Sequence, residues 1–154
     1  MARYLLTTLP KAAEQKEADL YEERCAQNSA YDCWRLGTLY QSGTIFAKDT
    51  EKADELFDKS CAAGEYEACF ALAMNLMTKD PDRALNIHEM LCEKKTRFTC
   101  DNIDFMLKMT KSRCDNASIG KDCYAFAKHT KDAELAKQYM EKACKVGIQA
   151  ACSK

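Results

Sequence analysis

Asp32-Cys33-Trp34-Arg35-Leu36-Gly37-Thr38-Leu39-Tyr40-Gln41-Ser42-Gly43 reads as one amphipathic helix with a cysteine near its start. Leu36, Gly37 and Tyr40 stand three, four and seven residues after Cys33, a spacing that gathers side chains on one helical face. The pattern recurs along the chain. After Cys69 come Leu72, Ala73 and Leu76; after Cys100, Ile103, Asp104 and Leu107; after Cys123, Phe126, Ala127 and Thr130. A small residue at the fourth position lets a neighbouring helix approach closely. Asp104 breaks that rule, so the helix after Cys100 is expected to pack differently.

Each of these cysteines has an upstream partner. Cys25 and Cys33, Cys61 and Cys69, Cys92 and Cys100, and Cys144 and Cys152 each enclose seven residues, and Cys114 and Cys123 enclose eight. Seven residues hold the last turn of one helix, a tight turn and the first turn of the next, which brings two Cα atoms near the ~5.5 Å a disulfide needs. CxxC and CxxxC metal spacings are absent, and His88 and His129 are the only histidines, so five local disulfides are expected and zinc is not.

Reading back from the first cysteine of each pair gives a second helix. Ala53, Leu56 and Phe57 precede Cys61; Ala84, Ile87 and His88 precede Cys92; Ala136, Tyr139 and Met140 precede Cys144; Leu20 and Tyr21 precede Cys25. Thr50 is the expected cap of a helix over 51–62, Asp80-Pro81 marks a helix start, and Gly64 and Gly147 mark helix ends. The chain therefore reads as an all-α array of antiparallel helix pairs. The steps between units are 28, 23, 14 and 21 residues. The first contains a glycine-bearing loop over 42–49, and the third, from Cys100 to Cys114, predicts two short helical pieces in an abbreviated pair.

Laid out in this way, the stretch from Asp32 to Gly43 resembles the first helix of a Sel1-like repeat, and the stretches from Lys52 to Gly64 and Lys137 to Gly147 resemble its second helix. The cysteine spacing is similar to that of the disulfide-bearing branch, the Helicobacter cysteine-rich protein family. The resemblance implies an α/α solenoid over 11–154 behind a lead segment, 1–10. It also implies secretion or periplasmic residence and a protein partner, with effector and toxin-neutralising roles among those it admits. Two alternatives come with it: a β-lactam- or peptidoglycan-binding protein with weak hydrolase activity, and a mitochondrial intermembrane-space assembly factor.

Composition narrows the classes. Lys+Arg 23 against Asp+Glu 24 leaves no basic stripe for nucleic acid. No apolar run reaches the ~18 residues that span a membrane. The start, Met1 to Pro10, is too short and polar for a signal peptide, while an even, high cysteine count belongs to an oxidising compartment. The expectation is a signal removed upstream of Met1; the alternative is an oxidising space reached without one. A nine-residue loop closed by a disulfide removes roughly 2.6 kcal/mol of unfolded-state entropy, so five contribute on the order of 10 kcal/mol less strain. A solenoid has only nearest-neighbour contacts with which to replace that contribution.

No enzyme and no cofactor are expected, since a redox CxxC and a GxSxG nucleophile elbow are both absent. His88 reads as a packed interface residue and His129 as a helix-end residue near solvent. Asp80 and Asp82 read as a helix start, and Asn116-Ala117-Ser118 as a chance glycosylation pattern. What remains is binding. The expected partner-facing residues are Trp34, Arg35, Thr38, Gln41, Phe70, Asn75, Asn102 and Tyr124, with Trp34, Phe70 and Tyr124 forming an aromatic series directly after the second cysteine of three units.

Overall fold

The computed structural model describes residues 2–96 and 100–152, with 2–11 by backbone alone. Met1, the first residue of the lead segment expected at 1–10, and Lys154, the last of the domain expected at 11–154, lie outside the described residues. The chain divides into two compact units, Met1–Leu72 and Ala73–Lys154. Among the described residues the regular structure is eight α-helices and one 3₁₀ turn, with no strand.

The first unit holds α1 (Ala2–Ala26), α2 (Ala30–Ser42), α3 (Thr50–Ala62) and the start of α4 (Tyr66–Leu76). α2 packs on both α1 and α3. Its core gathers Tyr21, Cys25, Cys33, Leu36 and Leu56, with Leu39, Tyr40 and Phe46 against it. Gly37 does what the spacing predicts: a β-carbon there would lie 2.6 Å from Cε1 of Phe57. Leu20 departs from its expected place on the core face and is 42% exposed. Ala18, three residues before Tyr21 and so on the same helical face, is fully buried.

The second unit holds the rest of α4, then α5 (Pro81–Glu93), α6 (Asp101–Ala117), α7 (Gly120–His129), α8 (Ala133–Lys145) and the 3₁₀ turn Gln149–Ala151. α7 packs on α5, α6 and α8, and α5 also touches α6. Phe126 and Tyr139 meet edge to face, 4.6 Å between ring centroids, in the core of this unit.

All five expected disulfides are present, with Cα–Cα distances of 4.6 Å for Cys25–Cys33 and Cys61–Cys69, 5.0 Å for Cys92–Cys100, 4.9 Å for Cys114–Cys123 and 4.8 Å for Cys144–Cys152. They point to an oxidising compartment. No described helix is long and apolar enough to cross a membrane.

Two local expectations need correction. Asp49, not Thr50, caps α3, its carboxylate accepting from the Lys52 backbone N–H at 2.9 Å while Thr50 becomes the first helical residue. The step from Cys100 to Cys114 is one unbroken helix, α6, and not two short pieces. Fourteen residues span about four helical turns, so one helix carries a cysteine at each end. Its buried residues are Met106, Thr110 and Cys114, while Asp104 is exposed, so α6 does pack on a different face.

Candidate partner-binding surface

In the first unit α1 and α2 build an aromatic–arginine patch. The Arg35 guanidinium lies 5.4 Å from the Tyr21 ring centroid and 5.8 Å from that of Trp34. Its Nε donates to the Tyr21 hydroxyl at 3.3 Å, and that hydroxyl donates to the Glu17 carboxylate. The bond to Glu17, aided by burial, raises the Tyr21 pKa, and the bond to Tyr21 raises that of Arg35. Trp34 packs at a tilt on Tyr31, 5.5 Å between centroids, and Tyr31 is 53% exposed. The Thr38 hydroxyl donates to the Arg35 carbonyl at 2.6 Å, one turn along α2.

The glycine-bearing loop closes one side of this patch. Gly43 ends α2 at φ 71°, and Phe46 folds back to stack on Tyr40 with centroids 4.6 Å apart. Thr44 and Ile45 then border a cavity of about 270 Å³ together with Glu14, Glu17, Tyr21 and Arg35. The patch thus joins a planar cation, the buried ring of Tyr21, the half-buried ring of Trp34 and an exposed tyrosine, the side-chain types that anchor protein interfaces.

Of the residues expected to face a partner, Trp34, Arg35 and Thr38 come together here. Gln41 is half-buried further along α2, and Phe70 is half-buried on α4. Asn75, Asn102 and Tyr124 belong to the second unit, each half-buried, with Lys128 Nζ 5.4 Å from the Tyr124 ring. Trp34, Phe70 and Tyr124 are all half-buried, neither sealed into the core nor free of it. Tyr21 and Tyr31 were missed as patch members; their spacing from Trp34 and Arg35 across the first disulfide was the available signal.

The second unit holds ionic arrangements that sequence reasoning did not find. His129 is not near solvent: its side chain is 5% exposed and stands between two carboxylates of α5, with Nε2 2.9 Å from Asp82 and Nδ1 2.8 Å from Glu89. Lys128 adds a contact to Asp82 at 2.7 Å. Although burial pushes the Asp82 carboxyl up, the bonds from Lys128 and His129 hold it below its usual value. His88 is buried as expected, and burial lowers its pKa.

Fully buried Asp122 pairs with Arg113 at 3.1 Å, and Arg113 also donates to the Met77 carbonyl at 3.2 Å. Arg113 precedes the first cysteine of its pair and Asp122 the second. Arg24 and Asp32 occupy the same places around Cys25 and Cys33, at 4.0 Å.

Catalytic chemistry finds little footing. Ser118-Ile119-Gly120-Lys121 carries the SxxK spacing of penicillin-recognising enzymes. Ser118, however, is the left-handed cap of α6 at φ 50°, and Lys121 Nζ donates to the Lys79 carbonyl at 3.2 Å. Among the described residues no group of three or more His, Cys, Asp or Glu could hold a metal, and no cysteine is free.

This succession of helix pairs has counterparts among solved structures. The crystal structure of c5321, a protective antigen present in uropathogenic Escherichia coli strains and displaying an SLR fold, superposes at a TM-score of 0.52 with 19% identity over 87% of this chain. The chain has the Sel1-repeat fold. A Sel1 repeat protein from Oxalobacter formigenes superposes at 0.51 with 16% identity, again over 87% of this chain. The chain spans 34% of the first structure's length and 65% of the second's. No protein-family model matches it, and no curated protein does. Within the Sel1-repeat fold, five local disulfides fit the cysteine-rich branch that the sequence resembles.

Proposed function

We propose that the chain is a non-enzymatic protein-binding module of the periplasm or the extracellular space, engaging a protein partner through the patch of Tyr31, Trp34 and Arg35. The observation that carries this reading is the Arg35 guanidinium held between the Tyr21 and Trp34 rings beside an exposed Tyr31. An arginine so preorganised loses little side-chain freedom on binding, and the adjoining rings offer apolar area with a polar edge. The Sel1-repeat fold supports the reading, being built of helix pairs that present extended surfaces.

The test is affinity capture from an extracytoplasmic extract, comparing the wild-type chain with a Tyr31→Ala/Trp34→Ala/Arg35→Ala variant of unchanged helicity and disulfide content. A partner retained by the wild type and lost by the variant is the expected result. Identical capture by both chains would place binding elsewhere.

A further inference from the structure

The charge of this chain is divided unevenly between its two compact units. Met1–Leu72 carries 8 Lys and Arg against 13 Asp and Glu, a net −5, and Ala73–Lys154 carries 15 against 11, a net +4. These counts take in every residue of the sequence, Arg3, Lys11, Arg97 and Lys154 included. No charged residue lies between Glu67 and Lys79, so moving the boundary within that stretch changes neither value. Unlike units attract and like units repel, over a range that salt sets.

The positive unit also exposes apolar side chains. Phe105 is 55% exposed, and Met109, one turn further along α6, is exposed too. Helical rotation puts both on the side of α6 away from Leu107 and Cys114, which belong to the core of the unit. Arg113, one turn beyond Met109, donates to the Met77 carbonyl, and Met74, one turn before Met77 on α4, is a third exposed apolar residue.

We propose, on the reading that the Tyr31–Trp34–Arg35 patch is the binding surface, that its occupant is the Phe105–Met109 face of a second copy of this chain. A two-fold axis sets the first unit of each copy on the second unit of the other, so the same contact is made twice and the assembly closes as a dimer. Each contact then brings −5 against +4, whereas a like-on-like arrangement sets charges of one sign together. The side chains match as well. Thioethers conform to flat rings and make favourable sulfur–aromatic contacts; Met109 supplies the sulfur, and Tyr31 and Trp34 supply the rings.

Sedimentation of the native, fully oxidised chain over a range of concentrations tests this at low and at high salt. A monomer–dimer equilibrium is expected, with a dissociation constant that rises about tenfold or more as salt is raised. The Tyr31→Ala/Trp34→Ala/Arg35→Ala and Phe105→Ser/Met109→Ser variants are each expected to sediment as monomers, since every contact in either dimer has one damaged side. Mixed together they are expected to associate, because one of the two contacts then joins an intact patch to an intact face. A wild type that stays monomeric, an equilibrium indifferent to salt, or a mixture no more associated than its components overturns the proposal. In that event affinity capture still decides whether the patch binds another protein.

Discussion

The ring of Phe57 fills the space that a β-carbon on Gly37 would need, with Cε1 2.6 Å and Cδ1 2.8 Å from that point. Phe57 is fully buried and Gly37 lies inside α2, so neither group has room to withdraw. Gly37→Ala is therefore expected to destabilise the chain by about 1–3 kcal/mol, although alanine is the better helix former by up to about 1 kcal/mol. Urea unfolding measures it; a variant as stable as the wild type would contradict the close contact between α2 and α3.

Arg113→Ala leaves the fully buried Asp122 without its partner, and a loss of about 3 kcal/mol is expected. Burial already pushes the Asp122 carboxyl up against the pull of Arg113. An acid whose folded pKa is raised binds its proton more tightly folded than unfolded, so stability falls as pH rises through that value. Without Arg113 the carboxyl rises further. The deficit of the variant should thus be larger at pH 7 than at pH 4, as read from thermal unfolding at both.

The opposite sign holds at Asp115. Lys111 at 2.7 Å, Lys142 at 2.8 Å and the Tyr139 hydroxyl at 2.6 Å hold its carboxyl well below the usual range. A lowered acid stabilises the fold above its unfolded value of about 4, and that contribution is lost as pH falls through the folded value. Asp115→Asn is accordingly less stable than the wild type at neutral pH, with the gap closing in strong acid. A gap independent of pH would show that its charge does not bind α6 to α8.

At His88, burial lowers the imidazole pKa, so the neutral form is the one that fits. Stability from this residue is present above the unfolded value of about 6.5 and is lost as pH falls below it. His88→Phe places at this position the residue that α3 uses at Phe57. The variant should lose part of the decline in stability that the wild type shows between pH 7 and pH 5, measured by calorimetry.

Spacing revealed whatever is local. The disulfides were legible because each closes over seven or eight residues, and Gly37 because helical periodicity places it on the cysteine's face. The cap of α3 was misassigned because Asp49 and Thr50 are adjacent and both suit the role; the aspartate, one residue earlier, reaches the Lys52 amide. The two-helix reading between Cys100 and Cys114 assumed that every interval repeats the first, whereas α6 serves both neighbouring turns. His129 could not be read at all. Its partners Asp82 and Glu89 lie 47 and 40 residues away, and only packing of α7 on α5 brings them to it. The Arg35 patch was half legible, since Trp34 and Arg35 are consecutive but Tyr21 arrives from another helix.

α6 is bound covalently at both of its ends, through Cys100 to α5 and through Cys114 to α7. A free helix unravels from its termini, where backbone groups lack partners. Here both exits are pinned, and Cys100 supplies a tether where no side chain caps the first turn. Fraying at either end is therefore restrained while both bonds stand, and cutting the anchor at Cys100 releases the first turn before the buried middle around Met106 and Thr110. Deuterium uptake would read this out as faster exchange in the turns after Asp101 once that bond is reduced.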